Sequence, residues 1–210
     1  MTAEVEPALY GAALSLLAHL WSRPLPDDVA RWLPDDNVET GLRSLLPSAA
    51  APGLAGRLRD ERAGPAGLLE EFERLFVGPG PVPCPPYESY WREDVAVDLR
   101  RSLMGPCTAE LLALYQDLGL EPVPGTGELP DQLCLELEAA AYALLSEGTA
   151  GVGQAIVQDH LARWLPRFCR AVAHEATTDF YRDMAQLTLD WTRVASCVAW
   201  PAATVGSAPM

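Results

Sequence analysis

The sequence predicts an all-α protein built as a single helical domain, and three observations support this fold class. Apolar residues recur at helical spacing along most of the chain, whereas no stretch of strand length alternates apolar and polar residues. The pattern has no repeat of fixed length, which argues against a solenoid. Hydrophobic residues make up 49% of the 210 residues, enough for one core. We expect a bundle of about nine or ten helices over residues 1–195, with a long proline-rich loop near the middle, and a flexible C-terminal tail at 196–210.

The N-terminal part of the chain is predicted to contain helices at residues 6–21, 27–32, 37–46 and 66–76. The first has a broad apolar face that includes Leu9 and Leu16, and Pro24 ends it because proline lacks the N–H that a helix needs. Asp27 offers an N-cap for the second helix. Residues 47–65 are rich in alanine, proline and glycine, which predicts a long mobile connection.

Beyond the central loop, apolar residues at helical spacing predict further helices at residues 94–102, 108–118, 130–146, 154–172 and 177–194. The helix at 130–146 is the most regular, and Leu137 and Leu145 belong to its apolar face. Glycines at 148–153 predict a break after it. We expect Pro166 to divide the next helix or to start a new turn, and Thr177 to cap the last one.

The central loop, within residues 71–92, is the segment around which the chain is organised. Glycines and prolines at 78–86 stop the preceding helix and hold the chain extended. A dense group of aromatic and polar residues follows, formed by Tyr87, Glu88, Ser89, Tyr90 and Trp91. Such density predicts a loop that packs against the core, binds a ligand, or does both. For Trp91, packing into the core and binding a ligand are equally supported. For Tyr87, packing into the core is less well supported.

A second candidate segment lies at the head of the regular helix, at residues 128–132. Proline in the first turn and acidic residues near a helix N-terminus are ordinary helix-start chemistry. The alternative is that the free N–H groups and the carboxylates there face a ligand. Both interpretations are open at this point.

Charge and composition exclude several classes of function. The net charge of −14 disfavours nucleic acid and suits a basic partner. All 15 basic residues are arginine, so a phosphate-binding P-loop lysine and a Schiff-base lysine are both excluded. The three histidines have no metalloprotease spacing, and the apolar residues around His160 favour a structural role. We therefore expect no enzyme, no catalytic residue, no metal and no cofactor.

The location expected from the sequence is the cytoplasm. The five cysteines are odd in number and widely spaced, which predicts reduced thiols in or near the core. No apolar run reaches the ~18 residues of a membrane span. Glu4 and Glu6 stand where a signal peptide would carry basic residues, so we expect neither a signal peptide nor stable membrane insertion.

Four segments in order resemble one known family. Leu75-Phe76-x-Gly78-Pro79 with Pro85-Pro86-Tyr87-Glu88-Ser89 is its most specific motif. Three further segments agree with it, namely Leu103-Met104-Gly105 with Tyr115 and Gly119, Glu128-Leu129-Pro130-Asp131 with Glu136-Leu137-Glu138, and His160-Leu161-x-x-Trp164-x-Pro166-x-Phe168 with Phe180-Tyr181. Over most of its length the chain resembles the TorD/DmsD/NarJ family of redox-enzyme maturation chaperones.

The resemblance implies an all-helical cytoplasmic chaperone for the precursor of a molybdenum-containing oxidoreductase. Such a protein would bind the twin-arginine leader of the catalytic subunit and assist cofactor insertion before export. By motif position, the leader-binding residues of the family correspond to Tyr87, Ser89 and Asp131. Many members carry histidine after that aspartate, whereas this chain has Gln132, which keeps hydrogen bonding but loses a titratable ring.

Arginine recognition also follows from the residues themselves. Arginine pairs with carboxylates in two parallel hydrogen bonds and stacks on aromatic rings. Suitable side chains are those of Glu88, Tyr90, Trp91, Asp131 and Glu136, and we expect Gln132 among the partner-binding residues as well. We expect Asp131 at the mouth of a groove shared with Tyr87 and Ser89, and Leu137 in the core.

Two alternatives are open. The chain could serve a molybdoenzyme that is never exported and has no twin-arginine leader, or it could be a small nucleotide- or pterin-binding protein. The missing lysine and phosphate loop weigh against nucleotide hydrolysis. We expect a monomer or a weak homodimer.

Overall fold

The computed structural model describes residues 7–23, 65–121 and 127–197, and these residues are helical with no strand beyond one isolated bridge. The α-helices are α1 (Pro7–Trp21), α2 (Pro65–Phe72), α3 (Glu88–Trp91), α4 (Pro106–Asp117), α5 (Leu133–Leu145), α6 (Ala150–Ala155), α7 (Ala162–Glu175) and α8 (Asp179–Cys197). A π-helical segment, Glu73–Val77, extends α2, and another, Ile156–Leu161, joins α6 to α7. The all-α class is therefore confirmed.

The expected count of nine or ten helices is not confirmed, since the described residues form seven continuous helices. The helices predicted at 27–32 and 37–46 lie outside the described residues, as does nearly all of the connection at 47–65. The domain limits stay a prediction. In the expected tail, residues 196–197 belong to α8, and the remainder lies outside the described residues.

The core is formed where α1 packs on α5 and α7 packs on α8. Aromatic rings from distant parts of the chain meet there: Trp21 contacts Phe76 edge-on at 6.0 Å and lies 5.2 Å from Phe168, measured between ring centroids. The indole N–H of Trp21 donates to Thr188 Oγ1 at 2.9 Å, so its polar group is satisfied inside the core. These rings place the end of α2 against α7, directly beneath the central loop.

Two residues assigned to apolar faces are exposed. Leu9 is 47% exposed and Leu145 is 53% exposed, so the prediction that they belong to the buried faces of their helices is wrong. Leu9 lies in the first turn of α1 and Leu145 in the last turn of α5, where the packed pair of helices ends. Gly11 of α1 approaches Leu145 closely, because a Cβ on Gly11 would lie 2.7 Å from Leu145 Cγ.

The central loop begins where prolines interrupt the helical hydrogen bonds. Pro79 has no N–H, so the carbonyl of Leu75 has no partner four residues ahead. That carbonyl instead accepts from the backbone N–H of Cys84 at 3.0 Å, while Gly78 N–H closes the π-helical turn on the Glu73 carbonyl at 2.8 Å. Gly78 has φ of 108°, which favours glycine. The loop is thereby tied back onto the helix that it leaves.

Helix α6 begins at Ala150, four residues before the predicted start, and so includes two of the glycines that were assigned to a break. Gly153 is needed for packing, since a Cβ there would lie 2.8 Å from Leu144 Cγ and 3.1 Å from Ala143 Cβ. Gly148, with φ of 81°, does occupy a turn. Glycine in this stretch therefore serves one turn and one close approach of two helices.

The helix predicted at 94–102 is wrong. Only a 3₁₀ turn, Val97–Leu99, forms there, and Arg101 and Met104 have φ of 56° and 61°. Val95 is half-buried and its other apolar residues are exposed, so no continuous buried face stabilises a helix, and isolated short helices are marginal in water.

Three smaller predictions are also corrected. Helix α5 begins at Leu133 rather than at residue 130, because Gln132 is its N-cap. Pro166 lies inside α7 without dividing it, and the irregular π-helical segment precedes that helix instead. Helix α8 begins at Asp179, so Thr178 rather than Thr177 stands before it.

We predict that Leu137→Ala will lower the free energy of unfolding by about 2–5 kcal/mol, because it removes a completely buried side chain from α5 and leaves a cavity. Leu145→Ala makes the same chemical change in the same helix at an exposed position, and we expect it to cost less than about 1 kcal/mol. Urea denaturation of both variants measures the difference. Equal losses would contradict the assignment of Leu137 to the core.

Candidate functional site

The two segments that the sequence singles out lie side by side. Tyr87 and Gln132 form an isolated antiparallel bridge, in which Glu88 N–H donates to the Asp131 carbonyl and Leu133 N–H donates to the Pro86 carbonyl, both at 2.9 Å. The extended conformation that prolines impose on residues before them allows this pairing. The central loop is thus fixed to the head of α5, and its aromatic residues are positioned there.

Asp131 is completely buried, and its Oδ2 accepts from the backbone N–H of Ser89 at 3.0 Å. The N–H groups in the first turn of a helix have no partner within that helix, and Asp131 supplies one for α3. The predicted position of Asp131 at an open groove mouth is therefore wrong, although its proximity to Ser89 is observed. Asp131 Oδ1 and Ser89 Oγ are buried without a hydrogen-bond partner among the described residues.

Glu88 is also completely buried, and both of its oxygens are engaged. Oε1 pairs with Arg92 at 2.5 Å, and Oε2 lies 2.8 Å from His160 Nδ1. Arg92 further pairs with Asp94 at 2.5 Å, which holds the pKa of that carboxyl at about 2. The charge of Glu88 is therefore compensated within the chain, and His160 has the structural role that its apolar neighbours indicate.

Glu136 is the third completely buried carboxyl group of the region. Its Oε2 accepts from the indole N–H of Trp164 at 3.1 Å, and its Oε1 has no partner within the part of the chain that the structure describes. Burial and then the charge of Glu88 raise its pKa well above the ordinary value. It lies three residues after Leu133 and four before Ala140, which puts it on the apolar face of α5, a signal of burial that the sequence contained.

Gln132 is half-buried and caps α5. Its side-chain oxygen accepts from the backbone N–H groups of Cys134 and Leu135, at 2.7 and 3.2 Å. The residue in the histidine position therefore helps to start the helix. Its amide nitrogen has no hydrogen-bond partner among the described residues.

The aromatic residues of the loop divide between packing and exposure. Trp91 is half-buried, donates its indole N–H to the Pro85 carbonyl at 2.7 Å and meets the Phe168 ring edge-on at 6.0 Å. Its packing role is thus observed. Tyr87 and Tyr90 are also half-buried, so each keeps part of its ring accessible.

A narrow apolar cleft with about 10 Å³ of free space lies beside the paired segments. The residues that line it come from four parts of the chain: Trp21, Phe72, Phe76, Pro86, Gln132, Leu133, Cys134 and Phe168. Trp21 and Phe168 belong to helices far away in sequence, and no local signal predicts them.

Two exposed acidic residues, Glu128 and Glu138, lie near this cleft and are named here the acidic rim. Burial, followed by the charge of Glu128, raises the pKa of Glu138. Burial, followed by the same glutamate, also raises the pKa of the Tyr87 hydroxyl. The rim therefore concentrates negative charge beside Tyr87. Glu138 is absent from the set of site residues predicted from the sequence.

The described cysteines have no reactive or metal-binding arrangement. Cys84, Cys107 and Cys169 are buried, Cys134 is half-buried, and all four are free thiols. Burial raises the pKa of the Cys84 thiol to about 12. Within residues 7–23, 65–121 and 127–197, no group of three His, Cys, Asp or Glu side chains is arranged to hold a metal ion. None of the described helices has the length and apolar character to cross a membrane.

We predict that Glu136→Gln will stabilise the protein relative to the original chain as the pH rises. A carboxyl group whose pKa is raised by folding favours the folded state below its unfolded pKa of about 4.3, and this contribution is lost as the pH rises through the folded value. Glutamine is neutral at every pH and avoids that loss. Urea denaturation between pH 4 and pH 9 measures the difference, with the exposed Glu147→Gln as the control for removing one charge. A difference that does not grow with pH would contradict the burial of an ionisable group at 136.

The comparisons with known proteins agree on one group of relatives. A family model described as the nitrate reductase delta subunit matches residues 35–170. The chain is 29% identical over 120 residues to the Tat proofreading chaperone DmsD of Salmonella typhi, covering 57% of this chain and 56% of that protein. It is 26% identical over 122 residues to a Haemophilus influenzae protein assigned the same name, covering 58% and 57%. The chain thus aligns with just over half the length of these curated relatives.

A solved structure extends the likeness in fold to nearly the whole chain. A protein from Archaeoglobus fulgidus that has been assigned as a redox enzyme maturation protein superposes with a TM-score of 0.59 at 22% identity, covering 87% of this chain and 93% of that chain. The relatives named in these comparisons are described as chaperones or as a maturation protein, in agreement with the role expected from the sequence. Because the family model spans more than half of the chain and includes both paired segments, the chain belongs to the nitrate reductase delta subunit family, the TorD/NarJ family of redox-enzyme maturation chaperones.

Proposed function

We propose that this chain binds the twin-arginine leader of a molybdenum-containing oxidoreductase precursor, in the cytoplasm, until cofactor insertion is complete. The observation that carries the proposal is an apolar cleft with an acidic rim at the junction of the central loop and α5. A leader of this type combines paired arginines with an apolar run, so it needs both kinds of surface at one place.

We infer that the apolar part of the leader docks at the cleft. Four of its eight lining residues are aromatic, and Pro86 and Leu133 add further apolar surface. The free space in the cleft is about 10 Å³, room for about one water molecule. An apolar anchor residue of the leader therefore enters only as the lining side chains move apart, while the rest of the leader lies along the surface.

The arginines of the leader meet the acidic rim. Glu88, Asp131 and Glu136 are completely buried, so a guanidinium cannot reach them without opening the loop. Glu128 and Glu138 are exposed, and burial and then the charge of Glu128 raise the pKa of Glu138. An arginine between them would remove that repulsion and pair with a carboxylate. Tyr87 and Tyr90 offer partly exposed rings on which guanidinium groups stack.

The relatives support the role of client protection. Those from Salmonella typhi and Haemophilus influenzae bear names that specify Tat proofreading, and Tat export uses twin-arginine leaders. We extend this role to the present chain as part of the proposal. Its completely buried motif carboxylates then act as a scaffold that positions the cleft and the rim.

We predict that the leader of the client, identified by co-purification with the tagged chain, binds with micromolar or better affinity in titration calorimetry. Affinity should fall with added salt, because exposed charge pairs are screened. Glu138→Gln should weaken binding by about 1 kcal/mol, the upper range for an exposed ion pair. Glu147→Gln removes the same charge from the turn after α5 and should bind as the original chain does.

Two results would count against this proposal. Absence of binding heat at every salt concentration and at two temperatures would rule out leader capture. Equal affinities for the Glu138→Gln and Glu147→Gln variants would leave leader binding intact but remove the rim from the contact.

Asp131 tests the scaffold separately. We predict that Asp131→Ala will cost about 1–3 kcal/mol of stability, because the buried N–H of Ser89 loses its acceptor. Asp131→Asn keeps an acceptor oxygen and should retain most of that stability. Thermal melting with parallel leader titration distinguishes the roles. An alanine variant that melts normally but no longer binds would show that Asp131 contacts the client directly.

A further inference from the structure

We propose that the Phe72 side chain is the gate of the apolar cleft, the lining group that swings aside to admit the apolar anchor of the leader. Gating rests on the proposed leader binding, and it adds to that function the residue that controls entry. Two features of the cleft support this role. The cleft is closed, and seven of its eight lining residues are held in place.

The cleft has a buried floor and a partly exposed mouth. Its free space of about 10 Å³ holds about one water molecule, which is too little for an apolar side chain. The floor consists of four buried residues, Trp21, Phe76, Leu133 and Phe168. The mouth consists of four half-buried residues, Phe72, Pro86, Gln132 and Cys134. A side chain that enters from outside must therefore displace part of the mouth.

The floor is held by contacts inside the core. The indole N–H of Trp21 donates to Thr188 Oγ1 at 2.9 Å. The Phe76 ring centroid lies 5.7–6.0 Å from the ring centroids of Trp21, Phe168 and Tyr181. Because protein interiors are closely packed, none of these rings can turn without displacing its neighbours.

Three of the four mouth residues are also fixed. The ring of Pro86 is closed on its own backbone, and its carbonyl accepts from Leu133 N–H at 2.9 Å. The side chain of Gln132 is held by the backbone N–H groups of Cys134 and Leu135. The side chain of Cys134 ends one atom beyond Cβ, so its rotation alone opens little space.

Phe72 is the mouth residue that is free to move. Among the described residues its ring contacts one other ring, that of Phe76, which it meets edge-on at a centroid distance of 5.1 Å. The ring is already half-buried rather than enclosed, and it has no polar atom whose partner would be lost. Rotation about the Cα–Cβ bond would carry the ring toward solvent and uncover the floor.

The backbone on either side of the gate is anchored, so the ring can move without its helix. Glu71 is buried and accepts from the backbone N–H of Thr177 at 2.5 Å. Glu73 pairs with Arg23 at 2.5 Å. The π-helical segment begins at Glu73, and such segments are frequent at functional sites.

A gate of this kind weakens and slows binding by the fraction of time that it is closed. One edge-to-face ring contact holds it, and such a contact corresponds to a factor of about 2–10 in an equilibrium. In return, the aromatic floor stays covered until an apolar anchor arrives.

Stopped-flow association of the full chain with the leader of its client tests the gate. Phe72→Ala removes the ring, so association should be about 2–10-fold faster than for the original chain. Phe72→Trp puts a larger ring in the mouth and should slow association. Val77→Ala removes exposed apolar atoms five residues along and should associate as the original chain does. A residue that merely contacts the anchor predicts the opposite result, slower or weaker binding for the alanine variant.

A second measurement needs no leader. The chain has four phenylalanines, of which three line the cleft while Phe180 lies elsewhere. In the chain labelled with 4-fluorophenylalanine, benzene serves as a free apolar ring that enters when the gate opens. We expect benzene to shift the fluorine resonance of Phe72, assigned through Phe72→Leu, and to leave that of Phe180 unchanged.

The outcomes separate the gate from leader binding. A leader that binds the original chain and associates no faster with Phe72→Ala would overturn the gate. If thermal melting shows that the alanine variant is unfolded, Phe72→Leu, which also lacks a ring, takes its place. Benzene that leaves the Phe72 resonance unchanged, or shifts that of Phe180 equally, would also overturn the gate. Absence of leader binding in the original chain would refute the proposed function, and the benzene titration alone would then decide on the gate.

Discussion

The conformation of the central loop depends on the ion pairs that the buried carboxylate of Glu88 makes with Arg92 and His160. This carboxylate connects α3 to the π-helical segment Ile156–Leu161 through His160, and Arg92, the residue that follows α3, donates to the Asp159 carbonyl at 3.3 Å. Removing one member of such a buried pair leaves an uncompensated charge and typically costs about 3–5 kcal/mol. The loop therefore has little freedom to rearrange unless the whole network comes apart, and this rigidity positions Pro86 and Tyr87 against the head of α5.

The carboxylates of the motif that identifies the family are buried beneath the candidate site. Glu88, Asp131 and Glu136 are all buried. Glu88 pairs with Arg92 and His160, Asp131 accepts from a backbone N–H of α3, and Glu136 accepts from the indole N–H of Trp164. The surface that we propose for partner binding is instead the cleft and the acidic rim. On that proposal, the buried carboxylates position the surface and the exposed residues around it make the contacts.

Much of the fold could be predicted from the sequence because it depends on local periodicity. The all-α class, the helix around Leu137 and the inert cysteines follow from apolar spacing and composition. The helix predicted at 94–102 failed because a helical pattern needs a surface to pack on, and that stretch has none. The sequence predicts a turn at Gly153, because the close contact between Gly153 and Leu144 depends on tertiary packing and has no local sequence signal.

The site was predicted only in part. The sequence singles out the central loop and the head of α5, and the structure pairs these two segments. The sequence did not predict that their carboxylates are completely buried. For Glu136 the helical spacing from Leu133 contained the signal. For Asp131 the cause is a bond to Ser89, 42 residues away in sequence, which no local pattern shows.

The burial of Cys84 gives the chain a built-in chemical reporter. Burial raises the pKa of this thiol to about 12, so the thiol stays protonated at neutral pH, and the backbone N–H of Cys84 is held by the Leu75 carbonyl. A thiol reagent can therefore react at this position only when the loop leaves the helix beneath it. The rate at which a thiol reagent modifies Cys84 is consequently a direct measure of how often the loop opens.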